Sequence, residues 1–263
     1  MKKIFYILLL AIGFSSCSKY QQVLKSTDLE NKYEVAKKYY EEEEFFKALP
    51  IFDELHTLYR GTQKAEEVYY YLAYTHFGLS EHLLAAYHFR TFAQTFPGSE
   101  HAEEMVYMNA YCYYLESPTS SLDASNTYQA IEELQLFVDK FPKSKRVEKC
   151  NGLIDDLRAK LEHKAFEIAK LYYDTENYKA AITSLNNVTI DYPDTDYREE
   201  VHYLILDANY LLASNSILAK QQERWNNTIS AYHYFVDNFE ESKKVRDAEG
   251  IYNKAIKQLE KFK

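Results

Sequence analysis

Glycine and proline are scarce in this chain of 263 residues, which has six Gly and five Pro where average usage predicts roughly thirty together. Turn-dense sandwiches and barrels need many more of both residues, so the composition excludes those all-β classes. No two glycines lie close enough to form a GxGxxG or P-loop motif, which excludes nucleotide chemistry of those types. Apolar residues still make up 46% of the chain, including 26 Tyr and 15 Phe, so a packed, strongly aromatic core is expected.

Signatures of catalysis, metal binding and nucleic-acid binding are missing as well. The formal charge is −9, with 40 acidic against 31 basic side chains, which argues against a nucleic-acid partner. The eight His form no HExxH pair, because the nearest approach, His101 to Met105, lacks the second His. The run Glu41 to Glu44 is interpreted as a solvated turn, with a cation or basic-partner site as the alternative. We therefore predict a binding scaffold that has no metal, cofactor or catalytic residue.

A long apolar run is also absent, and this decides how the start of the chain is interpreted. Two lysines precede an apolar stretch from Ile4 to Phe14, and two serines then precede Cys17. A stretch of about 11 residues is too short to cross a bilayer, which takes about 20. Residues 1–16 therefore predict a bacterial lipoprotein signal peptide, with Cys17 acylated and residues 17–31 forming the acylated tether. The alternative is an ordinary signal peptide with an incidental cysteine.

The remaining two cysteines are Cys112 and Cys150, which would then lie in an oxidising compartment. A disulfide between them is possible, but they fall in different predicted helices and have no characteristic spacing. Two buried thiols are the preferred interpretation.

One short phrase recurs through the helical sequence that makes up the rest of the chain. It reads Phe96-Pro97-Gly98-Ser99, Phe141-Pro142-Lys143-Ser144, Tyr192-Pro193-Asp194-Thr195 and Phe239-Glu240-Glu241-Ser242. Pro ends the preceding helix, and the Ser or Thr two residues later is predicted to be the N-cap of the next helix.

Small residues stand at fixed distances before this phrase and define a repeat. One set lies twelve residues before each Pro or its equivalent and comprises Ala48, Ala85, Ala130, Ala181 and Thr228. The other set lies about one helix further back and comprises Ala36, Ala73, Ala110, Ala169 and Ala208. This is the layout of the 34-residue tetratricopeptide repeat, in which small residues let paired helices approach closely. We predict an all-α, right-handed tetratricopeptide-repeat solenoid of about five helix-turn-helix units, near 32–64, 65–100, 101–144, 145–196 and 197–263.

Two repeats are longer than this pattern requires. In the third and fifth repeats the small positions are 20 residues apart, which predicts an eight-residue insertion between their helices. The first insertion, Ser117 to Ser121, has the composition of a loop. Extra helical sequence at 145–164 either lengthens the first helix of the fourth repeat or adds another helix.

The first helix of each repeat carries a stripe of residues at i, i+4 and i+7, which share one helix face. In this repeat that face lines the concave groove. The stripes of the second and third repeats are Tyr70, Tyr74, Phe77, Tyr107, Tyr111 and Tyr114, which we predict to bind peptide because tyrosine combines apolar area with a polar tip. We expect Tyr74 and the three later tyrosines to form one continuous aromatic wall. The alternative is that these rings only fill the inner surface of the solenoid.

With its lipoprotein-type start, its repeats and the stretches Leu153 to Lys160, Ile168 to Tyr173 and Asp191 to Thr195, the chain resembles the BamD family of outer-membrane assembly lipoproteins. The resemblance covers most of residues 18–263. It implies a non-enzymatic subunit of the β-barrel assembly (BAM) complex, lipid-anchored at the periplasmic face of the outer membrane. It also implies two partners: a BamA-like barrel subunit, contacted mainly by the C-terminal half, and unfolded outer-membrane proteins, contacted by the N-terminal half. The alternatives are another periplasmic repeat adaptor lipoprotein, for example of the Tol-Pal system or of envelope division, a nutrient-binding lipoprotein, or an enzyme.

The C-terminal segment 243–263 has the opposite charge balance from the whole chain. It holds seven Lys or Arg against three acidic residues. A terminal repeat leaves one lateral face open, so we expect this end to meet an acidic partner surface. The alternative is a solvated capping helix.

Replacing Cys17 tests the predicted anchor. We expect Cys17→Ala to leave the protein soluble in the periplasm or uncleaved in the inner membrane, because acyl chains that each contribute about 0.8 kcal/mol per buried CH₂ are lost. Membrane fractionation and incorporation of labelled fatty acid measure the effect. Equal recovery and equal labelling of both forms would contradict acylation at this residue.

Overall fold

The structure is a computed structural model that describes residues 19–262, and all regular structure among them is helical. Residues 19–25 are helical (α1). The following helices are Leu29–Glu41 (α2), Phe45–Leu58 (α3), Ala65–Gly78 (α4), His82–Thr95 (α5), Ala102–Leu115 (α6), Ser125–Lys140 (α7), Val147–Asp174 (α8), Tyr178–Asp191 (α9), Arg198–Ser214 (α10), Leu218–Asn238 (α11) and Val245–Leu259 (α12). A 3-10 turn, Glu260–Phe262, closes the described chain. The predicted all-α fold is confirmed.

The helices form two compact units. Within the described residues, the first unit comprises 19–118 and 123–157, and the second comprises 119–122 and 158–262. In the first unit each helix from α2 to α7 packs against the next helix along the chain, and in the second unit the same holds from α9 to α12. Sequential packing of helix pairs is the arrangement of a tetratricopeptide-like solenoid.

The small residues of the repeat lie at the centre of both units. Ala36, Ala48, Ala73, Ala85, Ala110 and Ala130 in the first unit, and Ala169, Ala181, Ala208 and Thr228 in the second, are all completely buried. The hydroxyl of Thr228 is satisfied by donating to the carbonyl of Arg224 at 3.0 Å. Of the large side chains four residues after the second small residue of each repeat, Phe52, Phe89, Leu134 and Leu185 are also completely buried, whereas Tyr232 is partly buried. The core positions predicted for the small residues are therefore confirmed.

The turns between the helices of three repeats have the same geometry without glycine. Glu43, Ser80 and Glu176 have φ angles of 57°, 59° and 60°, in the left-handed region that follows a helix end. In the first of these turns, Glu43 N–H donates to the Tyr40 carbonyl and Glu44 N–H to the Tyr39 carbonyl. Equivalent bonds close the other two turns. The run Glu41 to Glu44 is exposed in this turn, and Glu44 lies 3.0 Å from the ammonium of Lys47.

The hydroxyl residues of the recurring phrase do not cap helices, so that prediction was wrong. Each lies three residues before its helix begins. Its side-chain oxygen accepts a hydrogen bond of 3.0–3.1 Å from the backbone N–H two residues further on: Ser99 from His101, Ser144 from Arg146, Thr195 from Tyr197 and Ser242 from Lys244. Three of these hydroxyls also donate to a carboxylate on a preceding helix, to Glu103, Glu162 and Glu199. The hydroxyl thus ties the end of a repeat to an earlier helix.

The extra residues of the third and fifth repeats are accommodated differently. In the third repeat they form a loop over residues 116–124, as predicted. In the fifth repeat the predicted insertion between the helices is wrong, because only residues 215–217 separate α10 from α11 and both helices are longer instead. The added turn of α11 is anchored by Trp225, which is buried with Ala213 and Ala255. The extra sequence at 145–164 lengthens one continuous helix, α8.

The start of the described chain packs on the first repeat. Tyr20 donates a hydrogen bond to the Lys47 carbonyl at 3.2 Å, and Val23 and Leu24 contact the first unit's core. The part of the expected tether at 19–25 is therefore helical and packed, because its apolar side chains can be buried. The predicted signal peptide at 1–16 and Cys17 lie outside the described residues. Cys112 and Cys150 are free and buried, which confirms two thiols rather than a disulfide.

Candidate functional site

The six predicted peptide-binding residues lie on two helices of the first unit. Tyr70, Tyr74 and Phe77 are on α4 and are partly buried, and we call them the α4 rings. Tyr107, Tyr111 and Tyr114 are on α6, and we call them the α6 tyrosines. The two sets together are the tyrosine groove.

The α4 rings pack mainly in edge-on and tilted contacts. The Tyr74 ring lies 4.7 Å from that of Tyr70 and 6.5 Å from that of Phe77, measured between centroids. It also meets the completely buried Phe89 edge-on at 5.0 Å. Tyr70 contacts His101 at 4.6 Å. These contacts hold the α4 rings against the core while leaving part of each ring accessible.

The α6 tyrosines are arranged as a parallel series. Tyr111 lies 5.7 Å from Tyr107 and 5.9 Å from Tyr114, with interplanar angles of 14° and 13°. Tyr107 is only 6% exposed and meets Phe137 edge-on at 5.7 Å. Tyr107 therefore forms the floor of this part of the groove, and Tyr111 and Tyr114 provide its accessible ring area.

Charged side chains separate the two sets of rings, so the expected continuous wall is interrupted. The Tyr74 hydroxyl donates to Glu104 Oε1 at 2.9 Å, and Arg146 Nη2 lies 3.8 Å from the same carboxylate. The Arg146 guanidinium in turn lies 5.4 Å from the centroid of the Tyr107 ring. Glu104 belongs to the first turn of α6, one turn before Tyr107, which places it between the rings of the two helices. The groove therefore alternates apolar and charged surface.

Electrostatics distinguish the hydroxyls of the groove. Burial and the neighbouring Glu104 carboxylate, to which it donates, raise the pKa of Tyr74 far above its ordinary value, so this hydroxyl stays a donor. Lys149 is exposed on α8, with its ammonium 5.5 Å from the Tyr107 ring and 5.2 Å from the Tyr111 ring. Its pKa is raised chiefly by its approach to the Tyr107 hydroxyl. That buried hydroxyl nevertheless has no partner with hydrogen-bond geometry within residues 19–262.

The corresponding stripes of the other repeats hold fewer partly exposed rings, namely Tyr40 in the first repeat and Tyr173 in the fourth. In the first repeat Tyr33 is buried beneath the ammonium of Lys64, 4.3 Å from its ring centroid. In the fourth repeat Phe166 is buried and stacked on Tyr197 at 4.3 Å, and in the fifth Ile205 is buried. The interpretation as inner packing fits these positions. The accessible aromatic surface of the stripes is thus richest in the second and third repeats.

Sequence reasoning missed the charged members of the groove, Glu104, Arg146 and Lys149. The run of basic residues from Lys143 to Lys149 was the available signal. Within residues 19–262 no group of three or more His, Cys, Asp or Glu side chains could hold a metal ion. No helix in that range combines the length and apolarity needed to cross a membrane.

The stacked helix pairs and their buried small residues define a helical-repeat protein of the tetratricopeptide type. A family profile described as outer membrane lipoprotein, YfiO, matches residues 25–224 of the chain. The chain therefore belongs to the YfiO family of outer membrane lipoproteins. It is also similar to the outer membrane protein assembly factor BamD of Pasteurella multocida (strain Pm70), with 20% identity over 230 residues that cover 84% of this chain and 88% of that protein.

Removing single hydroxyls tests the hydrogen bonding of the groove. We expect Tyr74→Phe to lower the free energy of unfolding by about 1–2 kcal/mol, because it removes a bond to a carboxylate. Tyr107→Phe is the matched control and should change stability by less than about 0.5 kcal/mol or raise it, since the lost hydroxyl is buried without a partner. Chemical denaturation monitored by circular dichroism measures both. A larger loss for Tyr107→Phe than for Tyr74→Phe would contradict the assignment.

Proposed function

We propose that this protein is a non-enzymatic subunit of a BAM complex, lipid-anchored through Cys17 at the periplasmic face of the outer membrane. The observation that carries the proposal is the family match over residues 25–224, together with similarity to a protein named as an assembly factor. The lipoprotein-type sequence before Cys17 supports the anchor. Among the alternatives, these comparisons favour assembly of outer-membrane proteins over a Tol-Pal or division adaptor.

In this proposal the tyrosine groove receives unfolded outer-membrane protein. Barrel strands alternate apolar and polar side chains, and the groove alternates rings with the charged pair of Glu104 and Arg146. Tyr111 and Tyr114 present parallel ring faces, on which aromatic side chains of a substrate can stack. The Lys149 ammonium beside Tyr111 adds a cation to the same surface. An extended, partly aromatic strand fits this chemistry better than a compact folded surface.

The C-terminal end is proposed to dock on an acidic surface of a BamA-like barrel subunit. Helix α12 buries Ala248, Ile251 and Ala255 and is strongly amphipathic. Two lysines in or next to α12 lie over tyrosine rings of α10. The Lys244 ammonium is 4.7 Å from the Tyr203 ring centroid, and the Lys254 ammonium is 5.4 Å from that of Tyr210. The cations at 243, 246 and 257 are exposed. These three are the side chains that an acidic partner would meet first.

Replacing the accessible tyrosines tests substrate binding. We expect Tyr111→Ala combined with Tyr114→Ala to weaken binding of a peptide from the C-terminal strand of an outer-membrane barrel at least roughly thirtyfold, because central aromatic anchors often contribute 2 kcal/mol or more. Fluorescence anisotropy of the labelled peptide measures the affinity. Tyr128→Ala combined with Tyr234→Ala removes two exposed rings outside the groove and should leave it unchanged. If the groove variant keeps its thermal midpoint and binds as wild type does, the rings are only packing.

Charge reversal on α12 and just before it tests docking without uncovering the core. We expect Lys243→Glu, Arg246→Glu and Lys257→Glu together to abolish co-purification of the barrel subunit from detergent-solubilised envelopes, because like charges would then face each other. The control reverses three exposed lysines of the first unit, at 140, 143 and 145. Retention of the barrel subunit by the α12 variant, or its loss from both variants, would contradict docking through this helix.

A further inference from the structure

A second concave site lies on the first unit, away from the tyrosine groove. It is a cleft of about 750 Å³ between the C-terminal parts of α3 and α5, with the start of α4 as its floor, and we call it the α3–α5 cleft. Its volume falls within the range of about 300–1,000 Å³ typical of ligand pockets. Tyr69, at its floor, immediately precedes the groove residue Tyr70 in the chain. The two side chains therefore point about 100° apart around the helix. The cleft and the groove therefore use different faces of α4.

Stacked rings form the floor of the cleft. The His56 imidazole lies on the Tyr69 ring with centroids 4.3 Å apart and an interplanar angle of 20°. His88 meets Tyr69 edge-on at 5.7 Å and stacks on His76 at 4.7 Å. Burial lowers the pKa of His56 and, with the neighbouring imidazoles, lowers that of His88 to about 4. Both rings are thus neutral near pH 7 and present a flat, weakly polar surface.

One unpaired cation stands at the cleft. Arg60 is exposed, and no lining residue is acidic. Arg60 forms no ion pair within residues 19–262, although Asp53 acts on the nearby His56 from outside the lining. In the next groove along, between α5 and α7, Arg90 is instead paired with the buried Glu133.

The four threonine hydroxyls of the cleft all donate to backbone carbonyls. Thr57 donates to the Asp53 carbonyl at 3.3 Å, and Thr91 donates to the Tyr87 carbonyl at 2.8 Å. Thr62 and Thr95 donate to backbone carbonyls in the same way, both at 2.7 Å. The oxygens of Thr57, Thr62 and Thr95 can still accept a hydrogen bond, whereas the Thr91 hydroxyl also interacts with the Tyr69 hydroxyl. The cleft therefore offers threonine acceptors, the hydroxyl of the exposed Tyr87 and one guanidinium.

We propose that the α3–α5 cleft binds an extended internal segment of a partner protein that carries a carboxylate beside an aromatic side chain. The carboxylate pairs with Arg60, the aromatic ring lies against the open face of His56, and a backbone N–H group of the segment donates to Thr57. A phosphate group fits less well, because Arg60 is the single Lys or Arg side chain in the lining and phosphate sites gather several charged donors. This inference does not depend on the function proposed for the tyrosine groove.

The test uses the full-length lipoprotein in detergent and two fluorescent, C-terminally amidated peptides, Gly-Phe-Asp-Gly and Gly-Phe-Asn-Gly. Arg60→Gln should weaken binding of the Asp peptide about tenfold, to the level of the Asn peptide, because a charge-assisted bidentate pair is lost. The affinity for the Asn peptide should not change. Arg158→Gln removes an exposed guanidinium of the second unit that belongs to no proposed binding surface, and it is the matched control.

A cleft-filling variant and two competitors complete the design. Thr91→Trp should abolish binding, whereas Tyr111→Ala with Tyr114→Ala should leave it unchanged, which separates this site from the groove. Equal affinity of wild type for the Asp and Asn peptides, equal losses for both on Arg60→Gln, or undiminished binding to Thr91→Trp would each overturn the proposal. Displacement by millimolar inorganic phosphate, or selective binding of Gly-Gly-Phe with a free carboxyl terminus, would show a different occupant and overturn it as well.

Discussion

Close approach of paired helices at small residues is the constraint on which the rest of the structure depends. The ten alanine and threonine positions that define the repeat are completely buried. A larger side chain there would force the helices apart, because protein interiors are close-packed and tolerate little added volume. Once the position of Ala110 is fixed in the core, the directions of Tyr107 and Tyr111 follow from helix periodicity. The placement of the groove rings is therefore a consequence of core packing.

The turns between the helices of a repeat also have to form without the glycine that usually supplies them. With only six glycines in the chain, three turns use Glu43, Ser80 and Glu176 in the left-handed region, where non-glycine residues are uncommon. The hydrogen bonds of the helix end satisfy two backbone N–H groups in each turn and so stabilise this conformation. At the other end of a repeat, Ser144 and Ser242 link backbone and a distant carboxylate. Side-chain hydroxyls thus stabilise the junctions between repeats, beside proline where it is present, as at Pro142.

The sequence predicted the features that depend on local periodicity and missed those that depend on distant partners. Helix pairing, the buried alanines and the loop after Leu115 follow from spacing and composition, and the structure has them.

The N-cap role predicted for Ser99 and Ser144 was wrong, because spacing alone does not reveal where a helix begins. The hydroxyl of Ser144 also binds a carboxylate 41 residues away in the chain, which local sequence does not show. The extra residues of the fifth repeat lengthen α10 and α11, and Trp225 of α11 is buried against residues of α10 and α12. The charged pair between the groove rings could not be predicted, since Glu104 and Arg146 meet only through folding. The α3–α5 cleft was missed for the same reason, because its rings come from three helices.

Adjacent residues of α4 show how one helix can support the two proposed binding surfaces. Tyr69 is held by His56, His88 and the buried Phe92, whereas Tyr70 is held by Tyr74 and His101. Coupling between two sites requires an element that has two arrangements and is biased by both ligands. Helix α4 is fixed by ring packing on both faces, and its small residue Ala73 is completely buried. A ligand on either face therefore meets a preformed surface, and the geometry favours independent occupation of the groove and the cleft. For a scaffold that brings partners together, independence has a physical advantage: neither partner has to displace the other or wait for a conformational change before binding.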